Sequence, residues 1–172
     1  MTLAAPAQPG LALDVRPITL DDFSAVRHLH ARSLCEQTAD VLDDAEVAAF
    51  VRLVYSPDYS DLLVLEDIYG AWFDGELVGT ASWHASPDDG LTARIGSVFV
   101  RHTRFGIGRR LVSEVEARAF HAGFARFSSW TTANAVPFFE RLGYKVASRG
   151  VKALSPECAL PVAFLSKRAR VT

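Results

Sequence analysis

The residues best suited to chemistry lie at positions 98–111, in the stretch VFVRHTRFGIGRRL. A β-rich run ends at Val100, and Gly106-Ile107-Gly108 opens a helical pattern after a short basic turn. The first N–H groups of a helix have no intrahelical partner, and the helix dipole is positive there. Glycine lets an anion approach this backbone closely. The stretch therefore predicts an anion site, and four arginines could add positive charge to it: Arg101, Arg104, Arg109 and Arg110.

Several phosphate-binding loops could explain this pattern. A Walker A loop requires GxxxxGK[ST], and the chain contains no such string. A dinucleotide fingerprint requires GxGxxG, but position 111 is Leu rather than Gly. On this stretch alone, two interpretations stay open. One is the pyrophosphate loop of an acyl-coenzyme A transferase, and the other is an ordinary helix that begins at glycine.

The elements that position this loop are predicted from hydrophobic periodicity. Alternating apolar residues predict strands, whereas apolar residues three or four apart predict helices. Residues 55–61 are predicted to be a loop because they are rich in Pro, Ser and Asp. The mixed order of elements predicts an α/β fold. In chain order we predict a strand at 13–16, helices at 19–34 and 43–54, strands at 68–73, 77–83 and 92–100, a helix at 106–120, a strand at 127–132, a short helix at 133–142, and strands at 144–154 and 160–166.

Composition and charge exclude several classes of protein. The chain has 172 residues, of which 49% are hydrophobic and 22% charged, as in one folded domain rather than a disordered chain. The 18 Lys and Arg against 20 Asp and Glu give a net charge of −2, which argues against a nucleic-acid-binding protein. No run reaches about 18 apolar residues, so no transmembrane helix is expected. Cys35 and Cys158 are too few for a disulfide framework.

Residues 1–12 are rich in Ala, Pro, Gln and Gly and predict a disordered N-terminal tail, followed by a single domain over 13–172. The tail lacks the charged and apolar regions of a signal peptide, so we expect a cytoplasmic protein. We expect no metal site, because His28 and His30 are two residues apart on a helix and do not share a face.

A second motif, NAVPFFERLGY, occupies residues 134–144. Together with VFV and TRFGIGRRL it resembles the GNAT superfamily of N-acetyltransferases, and the resemblance covers most of residues 13–166. It implies a mixed, mostly antiparallel sheet of about six to seven strands flanked by about four helices. It also implies that an acetyl group passes from acetyl-CoA to a primary amine by direct attack within a ternary complex.

The resemblance further implies which residues would bind acetyl-CoA. A β-strand backbone would pair with the pantetheine arm, and backbone N–H groups of the glycine loop would hold the pyrophosphate. Asn134 would hydrogen-bond the arm, while Phe138 and Phe139 would flank the arm and the sulfur. The loop before Gly106 looks about two residues shorter than is usual in the superfamily. The property that this difference would change is the affinity for acetyl-CoA. The backbone positions are Val98, Phe99 and Val100 for the arm, and Arg104, Phe105, Gly106, Ile107, Gly108 and Arg109 for the pyrophosphate.

The expected proton donor is missing. Phe139 stands where many members of the superfamily have a tyrosine that protonates the leaving thiolate, and phenylalanine has no donor. Thiol pKa values lie near about 8.5, so a thiolate can leave without help. Water, Tyr144 or Ser129 could also substitute.

The general base is also not where the superfamily often has it. A glutamate is common on the strand that here reads TARIGSVFV, which contains none. His84, near the end of the preceding strand, is the candidate base, because neutral imidazole accepts a proton near pH 7. Glu36 and Asp67 are further candidates. Each of the three is also compatible with an ordinary surface position.

A second function therefore stays open at this point. Phe139 and the strand without a carboxylate would also suit a non-catalytic acyl-CoA-binding or regulatory module with the same fold. For the enzyme, we expect a small-molecule or peptide amine as acceptor and no nucleic-acid or membrane partner, and a homodimer is left open. Trp83 and Trp130 could line the acceptor pocket or simply pack in the core.

Overall fold

The strands form one seven-stranded sheet in a computed structural model that describes residues 12–103 and 105–170. Its order is β1-β2-β3-β4-β5-β7-β6, and all neighbours are antiparallel except β4 and β5. The predicted mixed, mostly antiparallel sheet is thus confirmed. The predicted tail lies outside the described residues, apart from Ala12. The strands are β1 (Asp14–Pro17), β2 (Asp67–Phe73), β3 (Glu76–Ala85), β4 (Thr92–Val100), β5 (Arg126–Thr131), β6 (Lys145–Ser155) and β7 (Cys158–Arg168).

Five α-helices cover the two faces of the sheet in the described part of the chain. None of them is long and apolar enough to cross a membrane. Because side chains alternate along a strand, each strand contributes residues to an apolar core on both faces of the sheet. On β2, for example, Ile68 packs with the first three helices, whereas Tyr69 packs with the last two. The helices are α1 (Phe23–Gln37), α2 (Asp44–Val54), α3 (Pro57–Val64), α4 (Ile107–His121) and α5 (Val136–Arg141).

The loop predicted over residues 55–61 is wrong, because α3 begins inside it. Ser56 is the N-cap residue, Pro57 occupies the first turn, and Asp58 follows it. Proline is compatible with the first turn because the N–H that it lacks would have no partner there. An acidic residue in that turn also suits the helix dipole. The three residues therefore start a helix that the sequence analysis interpreted as a break.

Two irregularities in β4 shape the centre of the molecule. Its pairing with β5 covers only Thr92 to Arg94, after which no pairs join the two strands. Its register with β3 shifts by one residue, which leaves Ser97 and Val98 without partners on β3. Ser97 has a φ of +48°, which is rare for a residue with a side chain. The strand thus bulges at the point where the sheet opens.

Candidate active site

Where β4 and β5 separate, one edge of β4 faces an open gap. Side chains donate hydrogen bonds to backbone carbonyl groups at both ends of this edge. Ser129 Oγ donates to the carbonyl of Ile95 at 2.8 Å, and Gln37 Nε2 donates to the carbonyl of Val100 at 2.7 Å. Between these points, Val98 accepts no hydrogen bond from any side chain that the structure describes. Its backbone can therefore pair with an extended ligand in the gap.

The other two β4 residues expected to bind the cofactor arm have different surroundings. The carbonyl of Val100 also accepts a hydrogen bond from Ser33 at 3.2 Å, so its two lone pairs are already used. The ring of Phe99 stacks on His30, with 4.1 Å between ring centroids. We therefore expect Val98 to supply most of the backbone pairing.

The glycine loop has the backbone geometry of an anion site. Gly106 is the N-cap residue of α4, with a φ of +70° and no side-chain cap. Gly108 is buried against Phe138, since a Cβ at position 108 would lie 3.1 Å from that ring. The buried side chain of Ile107 anchors the first turn. The first N–H groups of α4 thus point outward from a fixed helix end.

The charges around the loop are less uniform than the sequence analysis expected. Arg101 pairs with Glu76 and is engaged within the protein. Arg109, Arg110 and the neighbouring Phe105 are exposed at the start of α4. Arg104, which was also expected at the pyrophosphate, lies outside the described residues. His102 is exposed beside Phe105, next to the loop.

The second motif places its three candidate residues beside the gap. Asn134 and Phe139 line a narrow cavity of about 90 Å³ between β4 and β5. The side-chain oxygen Oδ1 of Asn134 accepts a hydrogen bond from the Thr132 hydroxyl at 2.6 Å. Phe139 is only 2% exposed and packs edge-on against Phe138, with 5.2 Å between ring centroids. The phenylalanine pair therefore connects the narrow cavity to Gly108 and the loop.

The narrow cavity meets a second, wider one at the bulge. The wider cavity has a volume of about 510 Å³ and is lined by α2, α3 and residues 152–154 near the end of β6. The two cavities share six lining residues at the point where β4 and β5 part. These are Phe50, Gly96, Ser97, Phe99, Ser129 and Trp130. An elongated ligand in the first cavity would thus reach a second ligand in the other.

Glu66, which the sequence analysis did not select, lies at this junction. It precedes β2, and its carboxylate accepts a 2.7 Å hydrogen bond from Ser97 Oγ. Burial raises the pKa of Glu66, although hydrogen bonding from Ser97 and Ser82 opposes that rise. A Cβ placed on Gly96 would be 3.5 Å from both Glu66 Oε1 and Ser82 Oγ. Glu66 is therefore a carboxylate with raised proton affinity in the wall of the wide cavity.

The neighbouring candidate Asp67 is on the opposite side of the strand. Its carboxylate accepts a hydrogen bond from Trp83 Nε1 at 3.0 Å, and it is exposed. Trp83 in turn packs against Phe124, on the face that α4 covers, and does not line the wide cavity. Side chains of consecutive strand residues point to opposite faces, which explains why a shift of one residue separates Asp67 from Glu66.

His84 lines the wide cavity, as expected for a residue on the acceptor side. Burial lowers its pKa, and the positive charges of Arg94 and Lys152 lower it further. The ring nitrogen Nδ1 is buried and has no hydrogen-bond partner among the described residues. Across the sheet, His84 pairs with Arg94 rather than with the bulge. It therefore lies farther along the strands from the junction than Glu66.

A buried chain of hydrogen bonds holds the bulge from behind. Thr80 Oγ1 donates to the carbonyl of Ser97 at 2.6 Å, so it must accept from His30 Nε2 at 2.8 Å. The other ring nitrogen of His30 then accepts from the hydroxyl of Tyr59 at 2.5 Å. Burial lowers the pKa of His30 to about 3, which keeps the ring neutral. This network fixes the backbone that faces the junction.

Of four further candidates, two are engaged elsewhere in the protein and two line the junction. The Tyr144 hydroxyl donates to Glu116 on α4 at 2.8 Å and does not line either cavity at the junction, so it is not placed to act as the acid. Glu36 is exposed and pairs with Arg32 at 2.7 Å, away from the junction. Ser129 and Trp130 do line both cavities. Within the described residues, no three His, Cys, Asp or Glu side chains group as metal ligands.

Comparison with known structures finds the same fold in several bacterial and archaeal proteins. A GCN5-related N-acetyltransferase from Rhodopseudomonas palustris shares 21% identity, with 98% of each chain covered and a TM-score of 0.78. The PaiA N-acetyltransferase from Thermoplasma acidophilum, in complex with coenzyme A, shares 16% identity over 91% of this chain and 99% of its own, with a TM-score of 0.68. YncA from Salmonella typhimurium, with its cofactor acetyl-CoA, shares 20% identity over 92% and 95%, with a TM-score of 0.63.

The comparison with curated proteins finds no significant match. The model of the Acetyltransferase (GNAT) family matches residues 19–144, which include both motifs, the bulge and Glu66. This range covers well over half of the chain, and the structural neighbours have the same arrangement of sheet and helices. The chain therefore belongs to the GNAT family of acetyltransferases.

Proposed function

We propose that the protein transfers an acetyl group from acetyl-CoA to a primary amine, by direct attack in a ternary complex. The observation that carries this proposal is the junction of the two cavities at the bulge of β4. One cavity lies between β4 and β5 beside the second motif, the other lies under α2 and α3, and Ser97 lines both. Two substrates bound in this way would react without leaving the protein.

The described residues fit coenzyme A on one side of the junction. The uncapped helix end at Gly106 suits a pyrophosphate, and the open backbone of Val98 suits an amide-bearing arm. Phe138 and Phe139 supply an apolar wall for the end of that arm. When bound, acetyl-CoA supplies a thioester whose acetyl carbon is electrophilic. The known complexes of PaiA with coenzyme A and YncA with acetyl-CoA support this choice of donor.

On the other side, Glu66 is the best-placed general base. A primary amine is protonated near neutral pH and must lose a proton before it can attack. Glu66 Oε2 is held by Ser97, whereas Oε1 faces Gly96 and Ser82 at the junction. Burial raises its pKa, which brings a carboxylate closer to the working pH of a proton acceptor. Glu66 therefore replaces His84 as the proposed base.

The protein offers no side-chain acid at the position of Phe139. This ring is buried and carries no proton donor. Ser129 lines the junction, but its hydroxyl proton is directed to the carbonyl of Ile95. We therefore propose that the thiolate leaves unprotonated and takes its proton from water, as its ordinary pKa near about 8.5 allows.

The missing acid also favours a second candidate function, a non-catalytic acyl-CoA-binding module. The carboxylate at the junction argues for the enzyme, because burial of Glu66 disfavours its charge, and binding coenzyme A does not require that charge. A module and an enzyme would both bind acetyl-CoA, but only the enzyme would release coenzyme A in the presence of an amine.

Two measurements on the full chain test the proposal in order. The thermal unfolding midpoint should rise with acetyl-CoA, since saturation at about 100 times Kd adds roughly 2.7 kcal/mol of stability. Release of the free thiol should then depend on an added primary amine such as phenethylamine. A midpoint that does not change at millimolar acetyl-CoA would contradict the donor site. A rise in the thermal midpoint without amine-dependent thiol release would support the binding module instead.

A further inference from the structure

One wall of the wide cavity is apolar and partly open to solvent. Leu53 and Leu63 are buried in its depth, while Leu62 and Leu65 of the α3 region line its mouth. Leu62 is 39% exposed and Leu65 is 73% exposed, which is unfavourable unless an apolar group covers them. This wall suits an apolar side chain on the acceptor.

The opposite wall is polar, and its carboxylates are already engaged. Asp88 pairs with Arg94 at 2.8 Å. Asp89 accepts hydrogen bonds from the backbone of Leu91 and from both the backbone and the hydroxyl of Thr92. Lys152 of β6 also lines this wall, is half-buried, and forms no ion pair with any residue that the structure describes. The wall thus presents a positive charge that lacks an anion.

One further group that lines the cavity, the ring of His84, lacks a partner for one of its nitrogens within the described residues. The buried hydroxyl of Ser82 lies next to Gly96 and Glu66, where its hydrogen bonding to the Glu66 carboxylate opposes the rise in the pKa of that group. Lys152 and Arg94 both lower the pKa of His84, so both positive charges are near that ring. A buried polar atom without a partner is costly, and a bound ligand would relieve that cost.

These positions define three contacts for one small molecule. Building on the proposed acetyl transfer, we propose that the acceptor is a free hydrophobic α-amino acid. Its amine lies at Glu66, its carboxylate pairs with Lys152, and its side chain packs on Leu62 and Leu65. The amine nitrogen bonds to the acetyl carbon while the carbon–sulfur bond breaks. Glu66 takes the proton that the ammonium loses before attack, the nitrogen passes a second proton to water as the amide forms, and coenzyme A leaves as the thiolate.

The test compares phenylalanine with phenylalaninamide, which keeps the amine and the ring but lacks the carboxylate. The ratio of their kcat/KM values is measured in the unsubstituted protein and in Lys152→Ala. Because each ratio is taken within one protein, the different basicity of the two amines cancels between variants. We expect Lys152→Ala to lower the ratio by about 10-fold or more, the usual size of a hydrogen bond to a charged group.

Three controls make the result specific. Lys152→Arg keeps the charge and should retain most of the preference for phenylalanine. Lys145→Ala removes an exposed lysine from the same strand, outside the wide cavity, and should leave the ratio unchanged. Alanine as acceptor keeps the carboxylate but lacks the apolar group, so its kcat/KM should fall below that of phenylalanine.

The outcomes separate the two proposals. A ratio that falls only in Lys152→Ala supports the amino-acid acceptor. Equal kcat/KM values for phenylalanine and its amide, with a ratio that Lys152→Ala leaves unchanged, would overturn this inference while acetyl transfer stands. If phenylalanine, phenylalaninamide and phenethylamine all fail to release thiol, the proposed function itself fails.

Discussion

The hydroxyl of Ser97 donates a 2.7 Å hydrogen bond to Glu66, and the carbonyl of the same serine accepts one from Thr80. The residue that forms the bulge in β4 thus also orients the carboxylate beside it. Because His30 holds Thr80, the orientation of Glu66 depends on a buried network that reaches α1. Substrate-facing geometry of this kind requires such support, since a shift of about 1 Å can cost two orders of magnitude in rate.

Replacing Glu66 with Gln should remove the base and keep the shape of the side chain. We expect kcat/KM for amine acetylation to fall by about 10²–10⁴-fold, the usual contribution of a positioned acid or base. The thermal midpoint should stay the same or rise, because burial disfavours the charge that the substitution removes. Asp67→Asn is the matched control, since Asp67 is adjacent but exposed and outside both cavities. Equal rates in the two variants would show that Glu66 is not the base.

The same residue should set the acidic side of the pH profile. Glu66 accepts a proton only when ionised, so kcat/KM should fall as the pH drops through its pKa. Burial places that pKa above the ordinary value of 4.5. This decrease in kcat/KM at low pH should be absent in Glu66→Gln. The increase in kcat/KM that follows deprotonation of the ammonium to the free amine should occur in both proteins. A profile identical in both would contradict the assignment.

Gly106→Ala should weaken coenzyme A binding. Its φ of +70° is unfavourable for any residue with a Cβ, at a cost of about 1–2 kcal/mol. Gly90→Ala is a matched control, because Gly90 has a φ of +64° in a turn away from the loop. A Cβ would meet no protein atom within 4 Å at either position. Calorimetric Kd values should therefore rise only for Gly106→Ala, and equal effects would mean that the pyrophosphate lies elsewhere.

Phe139→Tyr should restore a proton donor beside the leaving sulfur. We expect the Kd for coenzyme A to be retained and kcat to rise or stay unchanged, because a thiolate can leave without an acid. Binding and turnover are measured on the same preparation. A large loss of coenzyme A affinity, with the protein still folded, would contradict the position of this ring beside the arm.

His30 should make stability depend on pH. Its pKa falls from 6.5 to about 3 in the folded protein because the ring is buried. The stability it contributes is complete above pH 6.5 and is lost as the pH falls toward 3, at up to about 1.4 kcal/mol per pH unit. Urea unfolding between pH 7.5 and 5 should therefore show a steeper loss in the natural protein than in His30→Gln. Parallel pH dependences would rule out a buried neutral ring.

The fold could be predicted from sequence wherever periodicity and motifs agreed. Alternation located β2 to β4, and the paired motifs identified the loop and α5. The helix α3 was missed because Pro57 starts a helix as readily as it ends one. The bulge could not be predicted either, because Ser97 adopts a positive φ for reasons of tertiary hydrogen bonding rather than residue type.

The candidate site was predictable on one side only. Backbone positions for coenzyme A follow a local motif, so their numbers can be assigned from the sequence. The position of the base does not follow a local motif. Glu66 is 31 residues from Ser97 and reaches it only through the packing of β2, β3 and β4. The sequence pointed to His84 as the base and to Asp67 only as a further candidate, and strand alternation places the Asp67 side chain on the other face.

Direct transfer between the two cavities is the central claim, and two-substrate kinetics tests it most directly. Initial rates of thiol release are measured while acetyl-CoA and a primary amine are varied together. Attack within a ternary complex predicts intersecting lines in double-reciprocal plots, and no added acetyl mass on the protein after incubation with acetyl-CoA alone. Parallel lines together with an acetylated protein would show a covalent intermediate and contradict direct attack at the junction.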